Sequence, residues 1–288
     1  MPDIELPRSW LFAPGHDEKL LGKVFDVGAD AVLLDLEDAV PAALKARARD
    51  MVAEVAASKR CWVRVNRAQT EECERDLAAV AGRVAGLRLP KVESAAEVAW
   101  VAERAPGIHL DCTVESARGV FMAFEIASAP ACTLLSFGAL DLAADLGSSA
   151  GEQETLYARS HLVIAARSAG KPRPSDGVHP LLNDDEGLRK EAEAAKRLGF
   201  FGKSAIHPRQ VPIIHEVFTP TPEELAWAKE VLWAFEQSGG AATKTAAGEF
   251  VDRPVAERAK QQLRAGRETL PPRLQEQRAE ALDDARPS

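Results

Sequence analysis

GLRLPKVESAAEVAWVAERAPGIHLDCTVESARGVFMAFEIASAPACTLLSFG, residues 86–138, holds three short apolar runs with two longer segments between them. The runs Gly86–Pro90, Ile108–Val114 and Cys132–Phe137 are five to seven residues long, the length of buried strands. Between them, Ser94–Arg104 and Ser116–Ala127 are rich in Ala, Glu and Arg at roughly the 3.6-residue period of an amphipathic helix. Strand, helix, strand, helix, strand is the pattern of consecutive βα units joining parallel strands.

The alternation continues outward from this stretch in both directions. On the N-terminal side the expected strands are Arg8–Ala13, Ala31–Leu36 and Trp62–Asn66, with helices at Pro41–Ser58 and Thr70–Val84. On the C-terminal side come a weak strand at Asp176–His179, a helix at Leu182–Leu198 and a last strand at Phe200–Ile206. Lys171-Pro172-Arg173-Pro174 makes the seventh strand the least regular, because proline cannot donate to a ladder. Eight strands, each followed by a helix, predict an α/β fold of the (β/α)8 TIM-barrel type over residues 1–217 rather than an open doubly wound sheet. A helix near Arg209–Val217 follows the last strand, and a C-terminal helical extension comes after it over 218–265, with helices near Pro222–Gln237 and Pro254–Arg264 and a link at Gly239–Gly248. Residues 266–288 carry many charges and few large apolar side chains and are expected to form a flexible tail.

Composition narrows the function classes. The chain has 288 residues, 46% hydrophobic and 28% charged, which suits a folded protein with a real core. Thirty-six Lys and Arg against 44 Asp and Glu give a net charge of −8, so no global basic field exists to hold nucleic acid or an anionic membrane. No apolar run approaches a bilayer span and the acidic start, Met1-Pro2-Asp3-Ile4-Glu5, does not read as a secretory signal, so a cytoplasmic location is expected. Cys61, Cys73, Cys112 and Cys132 are widely spaced and read as buried reduced thiols.

In such a barrel the chemistry sits at the C-terminal ends of the strands. Ala31-Val32-Leu33-Leu34 runs directly into Asp35-Leu36-Glu37-Asp38, three carboxylates that are either a solvated turn or part of a site. One strand ends at Glu115 and the next leads to Asp141, 26 residues on and about one βα repeat away. That spacing puts two hard oxygen ligands on neighbouring strand ends, where they suit a Mg²⁺ ion that keeps several waters. Two readings of Arg64 stay open: an ion pair with Asp35, Glu37 or Asp38, or a bidentate clamp on a substrate carboxylate. Gly138 either lets a ligand oxygen approach backbone N–H groups or serves a turn. Arg8 precedes the first strand, Pro14-Gly15 ends it, and Lys19 and Lys23 lie on the following helix; the basic residues give local positive charge for a phosphate-bearing ligand, or ordinary solvated charge. His207-Pro208 ends the last strand and reads as structural.

These residues lie in segments that resemble the citrate lyase β-subunit-like branch of the HpcH/HpaI aldolase superfamily. The matching segments are 8–15 (RSWLFAPG), 35–40 (DLEDAV), 64–66 (RVN), 89–94 (LPKVES), 115–119 (ESARG), 137–142 (FGALDL) and 202–210 (GKSAIHPRQ). The resemblance implies a TIM-type barrel that makes or breaks a carbon–carbon bond between a keto-acid and an acyl-thioester enolate, using Mg²⁺. By the same resemblance Glu115 and Asp141 ligate the metal, Glu37 and Asp38 hold its waters, Arg64 binds the keto-acid carboxylate and the Gly138 region offers backbone donors. Gly248–Val255 (GEFVDRPV) is similar to the lid motif of malyl-CoA and citramalyl-CoA lyases, whose aspartate reaches an adjacent subunit. This implies Asp252 as acid–base group in a homo-oligomer, a trimer or hexamer; its other reading is a cap on the helix near Pro254. Ser116 stands where relatives often have Thr and retains the hydroxyl. The substrates implied are citryl-, citramalyl- or malyl-CoA, cleaved to a keto-acid and acetyl-CoA or propionyl-CoA. The alternatives are thioester hydrolysis, or a citrate lyase β subunit working beside an α subunit and an acyl carrier protein.

Overall fold

A computed structural model of the chain describes residues 6–266. The polypeptide divides into two compact units at the Phe218–Thr219 junction. In the first, β1 (Ser9–Pro14), α1 (Glu18–Lys23), β2 (Ala31–Asp35), α2 (Lys45–Ala56), β3 (Trp62–Arg64), α3 (Glu71–Val80), β4 (Gly86–Leu89) and α4 (Ala95–Arg104) alternate along the chain. They are followed by β5 (His109–Val114), α5 (Ala117–Phe121), α6 (Ala123–Ser128), β6 (Cys132–Phe137), α7 (Ala139–Leu146), α8 (Glu152–Ser168), β7 (Ser175–Asp176), α9 (Asp185–Leu198), β8 (Gly202–Ala205) and α10 (Gln210–Phe218). The eight strands pair in parallel and in sequence order, and β8 closes on β1. This is the (β/α)8 barrel expected from the alternation.

Helix starts follow capping chemistry. Asp17, Thr70, Ser94, Ser116 and Asp184 each accept a hydrogen bond from a backbone N–H in the first turn of the helix they precede. The strands' period-two alternation separates two apolar clusters. Trp10, Leu33, Trp62 and Leu134 pack with Phe201 in one cluster, where the Trp10 and Trp62 rings meet edge-on at 5.0 Å. Their neighbours Leu11, Leu34, Val63 and Leu135 belong to the main core shared with the helices. Gly86 lies flat against the Trp62 ring, which a Cβ would strike.

The same alternation carries polar residues one step along the strands from the tryptophans. Register aligns Asp35 with Arg64, Arg64 with Arg88, and Arg88 with Asp111. Arg88, 2% exposed, pairs with Asp111 at 2.7 Å, donates to Ser204 Oγ at 3.0 Å and lies 4.6 Å from the Trp10 ring centre. The guanidinium thus fills space that aliphatic side chains usually occupy in such barrels, and its charge is matched in place.

Several local expectations shift. The seventh strand covers Ser175–Asp176 rather than 176–179, and Gly177, just past it, packs so close to β6 that a Cβ would sit 2.8 Å from Phe137 O. The helix expected over 116–127 is two short helices broken at Met122, and that over 41–58 begins as a 3-10 turn at Ala42–Leu44. All four cysteines are free and buried, and burial pushes Cys61 up to about 11 and Cys73 up to about 12, so both stay protonated at neutral pH.

The second unit comprises α11 (Pro222–Gln237), β9 (Thr243–Lys244), β10 (Phe250–Val251) and α12 (Arg253–Ala265). Thr221 and Glu224 form a reciprocal capping box at the start of α11. Val231, Leu232, Val251, Ala256, Ala259 and Leu263 build its own small core. The link expected over 239–248 contains β9, which pairs antiparallel with β10 just beyond it. The tail expected at 266–288 lies, apart from Gly266, outside the described residues. Among the described residues no helix is long and apolar enough to cross a membrane.

Candidate active site

The C-terminal rim of β2 to β6 gathers Asp35, Glu37, Asp38, Glu115 and Asp141 around Arg64 and Lys91. Asp35 is 1% exposed and works as a fold-maker: it accepts the N–H groups of Glu37 at 2.9 Å and Ala39 at 3.1 Å, folding the turn after β2. Its carboxylate also receives Arg64 Nε at 2.8 Å and Nη2 at 2.6 Å in a bidentate pair. Arg64 Nη1 lies 3.0 Å from Glu37 Oε2, and the guanidinium sits 5.0 Å from the Phe12 ring centre. The ion-pair reading of Arg64 is therefore present in the structure. Nε and Nη2 each spend one N–H on Asp35, while Nη1 meets Glu37 only as a charge contact, which leaves three of the five guanidinium N–H donors outside these hydrogen bonds. Burial favours the neutral guanidine, but the Asp35 hydrogen bonds more than offset it and Arg64 stays charged.

A second layer holds this rim. Lys45 Nζ donates to Leu36 O at 2.7 Å and Glu37 O at 2.8 Å on the loop that carries Glu37, and to Asn66 Oδ1 at 2.7 Å just after β3, using all three ammonium protons. Asn66 is fixed in turn by Asp76, which accepts its backbone N–H at 2.8 Å and its amide at 2.7 Å. Asp76, fully buried, also pairs with Arg49 at 2.8 Å.

Glu115 follows β5, is 5% exposed, and accepts the Lys91 backbone N–H at 2.7 Å on Oε1. Gly138 makes room for it, since a Cβ there would collide with Glu115 Oε2 and lie 2.5 Å from Glu115 Cβ. Gly138 has an ordinary φ of −114°, so room rather than backbone freedom requires glycine. Its N–H is engaged with Val114 O at 3.1 Å, so this position contributes space for the carboxylate and not the free backbone donor expected from sequence. Asp141, in the first turn of α7, is 40% exposed at the side chain. Burial, and then the Asp141 charge, push the Glu115 carboxyl up to about 7.

Lys91 ties the two halves together and was not singled out from the sequence. Its Nζ lies 2.7 Å from Glu37 Oε1, 2.8 Å from Asp38 Oδ2 and 3.5 Å from Asp141 Oδ1. Burial raises Glu37 above the usual carboxylate range despite Arg64 and Lys91. The more exposed Asp38 is also pushed up by burial, but the Lys91 hydrogen bond and charge win and hold it below that range.

Other expected residues fall elsewhere. Arg8 stands at the opposite end of β1 from this rim, in a bidentate pair with Asp30 at 2.8 and 2.9 Å, so it cannot share the site. Pro14 pairs in register with Asp35, and Gly15 N–H donates to Asp35 O at 2.8 Å, which brings this turn beside the rim. His207 Nδ1 accepts the Arg209 N–H at 3.2 Å, a structural role. Asp252 belongs to the second unit, where its side chain caps α12 by accepting Val255 N–H at 3.2 Å.

Among the described residues no three His, Cys, Asp or Glu side chains converge as a ready-made metal cluster. Glu115 and Asp141 are two, the number of carboxylates with which Mg²⁺ binds while keeping several waters. Five carboxylates against two cations leave negative charge in excess on this rim, and the Asp141 charge adds to burial in raising Glu115. A divalent cation fits that deficit.

The model of the HpcH/HpaI aldolase/citrate lyase family matches residues 8–208. A citrate lyase subunit beta-like protein of Deinococcus radiodurans is 37% identical, over 88% of this chain and 95% of its own. A (3S)-malyl-CoA thioesterase of Cereibacter sphaeroides is 38% identical, over 80% of this chain and 84% of its own. Among solved structures, protein CitE from Mycobacterium tuberculosis in complex with magnesium, acetoacetate and coenzyme A superposes with a TM-score of 0.78 at 36% identity, covering 91% of this chain and 98% of that one.

Proposed function

The chain belongs to the HpcH/HpaI aldolase/citrate lyase family, and from this we propose that it is a Mg²⁺-dependent carbon–carbon lyase of acyl-CoA thioesters of the citryl, citramalyl or malyl type. One observation carries the reading: two carboxylates, Glu115 and Asp141, stand on one barrel rim beside a guanidinium that keeps N–H donors beyond those bonded to Asp35. Magnesium is drawn from the complex of the M. tuberculosis relative, and the excess carboxylate charge supports it here.

Glu115 and Asp141 would hold the ion, with Glu37 and Asp38 placed for its waters. Bound there, Mg²⁺ supplies Lewis-acid polarisation of the oxygen that becomes the keto group. The Arg64 donors not bonded to Asp35 orient the keto-acid carboxylate, and the Asp35 hydrogen bonds and the Glu37 charge keep the guanidinium from swinging away. Cleavage removes the hydroxyl proton, breaks the bond between the carbinol carbon and the carbon next to the thioester, and leaves an enolate that takes a proton to become acetyl-CoA or propionyl-CoA. Asp252 is the group assigned to this proton traffic. Its lid motif implies service to a neighbouring subunit, in a homo-oligomer such as a trimer.

The C. sphaeroides relative favours a second reading, hydrolysis of the thioester. Incubating the purified protein with Mg²⁺ and malyl-, citramalyl- and citryl-CoA, and following products by mass spectrometry with EDTA as control, separates the two. Lysis yields a keto-acid and a shorter acyl-CoA, whereas hydrolysis yields free CoA and the intact acid. Silence on every CoA ester, with cleavage of a carrier-protein thioester, would make the chain a citrate lyase β subunit instead.

A further inference from the structure

Lys91 has a φ of +52°, a left-handed conformation that side chains other than glycine rarely adopt. The conformation does two things at once. It turns the Lys91 N–H onto Glu115 Oε1 at 2.7 Å, and it sends the ammonium across the rim to Glu37, Asp38 and Asp141. The contact to Asp141, at 3.5 Å, is the longest of the three and falls on the very carboxylate assigned to the metal. The side chain is 30% exposed, so the ammonium sits at the mouth rather than in a sealed core.

We propose that Lys91 sets the cation affinity of this site: its ammonium competes with a divalent ion for Asp141, while remaining on Glu37 and Asp38 to keep the rim receptive to an anionic substrate. This rests on the reading of Glu115 and Asp141 as the metal pair. The charges give its sign. With a divalent ion added, five carboxylates face two positive charges from the ion and two from Arg64 and Lys91. Losing the Lys91 charge would strengthen the pull on the ion and weaken the hold on a carboxylate substrate. A role confined to packing would move both affinities in the same direction.

The test uses metal and keto-acid binding rather than turnover. EDTA-treated wild type, Lys91→Met, Lys91→Arg and Glu115→Gln are titrated with Mn²⁺ by electron paramagnetic resonance of the free ion, and pyruvate is then titrated into the Mn²⁺-loaded proteins by calorimetry. Lys91→Met keeps the backbone N–H and removes the charge, and Lys91→Gln replaces it should the methionine variant not fold. The expected result is Mn²⁺ binding about tenfold tighter and pyruvate binding several-fold weaker in the neutral variant, with Lys91→Arg returning both toward wild type. Unchanged or weaker Mn²⁺ binding in the neutral variant, with wild type binding and Glu115→Gln not, would overturn the role of Lys91 and leave the metal pair standing. Wild type that binds no Mn²⁺ in a Glu115-dependent way would remove the metal pair, and this role with it.

Discussion

Glu115→Gln should make the EDTA-treated protein more stable, although it removes a residue assigned to the metal. The carboxyl has an ordinary value of 4.5 and is pushed up to about 7 in the fold. Between those two values the unfolded chain has given up a proton that the folded chain still holds, so stability falls as pH rises through this window and levels off above it. One unit is about 1.4 kcal/mol, so at pH 8 the ionised Glu115 costs the folded state about 3 kcal/mol. Glutamine has the same shape and still offers Oε1 to the Lys91 N–H, but carries no charge to be buried beside Asp141. Urea denaturation in EDTA should show the variant more stable by about 1–3 kcal/mol at pH 8, and by about 1 kcal/mol or less at pH 5. Saturating Mg²⁺ should narrow or reverse the gap, because binding stabilises only the form that takes the ion. A variant no more stable than wild type at pH 8, or a gain equal at both pH values, would refute the burial argument.

Gly138→Ala places a methyl group against Glu115 Oε2. It should lower Mn²⁺ affinity and turnover by about 100-fold or more, because the carboxylate is displaced and, with Glu115 Cβ 2.5 Å from the new methyl, the local backbone must shift as well. Asp252→Asn should leave the melting temperature nearly unchanged, since Asn caps a helix about as well as Asp. If Asp252 handles the proton, turnover should nonetheless fall, and mixing inactive Asp252→Asn with inactive Glu115→Gln should restore part of it in hybrid oligomers. No recovery after co-refolding would place lid and barrel function within one subunit. Asp76→Ala strands two Asn66 donors and leaves Arg49 with Glu72 alone, and should cost about 2–3 kcal/mol by urea denaturation.

The barrel was legible because its signal is repeated: eight apolar runs at βα spacing leave few other folds. Period and composition also placed Glu115, Asp141, Arg64 and Glu37 at strand ends, and these do meet on one rim. Lys91 was not legible in the same way. It follows Pro90 in a polar turn, and only a backbone angle makes it face carboxylates from three different strand ends. The Lys45, Asn66 and Asp76 chain was hidden for a related reason, since its members come from a helix start, a strand end and a helix middle. Arg8 was misplaced although it starts the first strand and so lies away from the C-terminal rim; its charge is taken up by Asp30, whose place in the fold a single line of sequence does not show.

Two local irregularities in this chain have one explanation between them. A lysine holds a conformation suited to glycine, and a glycine holds a conformation that any residue could adopt. Neither makes sense as a turn requirement. Both act on Glu115: Lys91 delivers a backbone N–H to one carboxylate oxygen, and Gly138 vacates the space taken by the other. The fold therefore accepts strain at one position and lost side-chain packing at another to hold a carboxylate that burial already disfavours. Stability alone would not select that arrangement, since a neutral side chain at 115 removes the penalty at once. Local rules failing together around one group are what a functional site produces, and here they isolate Glu115 without reference to any relative.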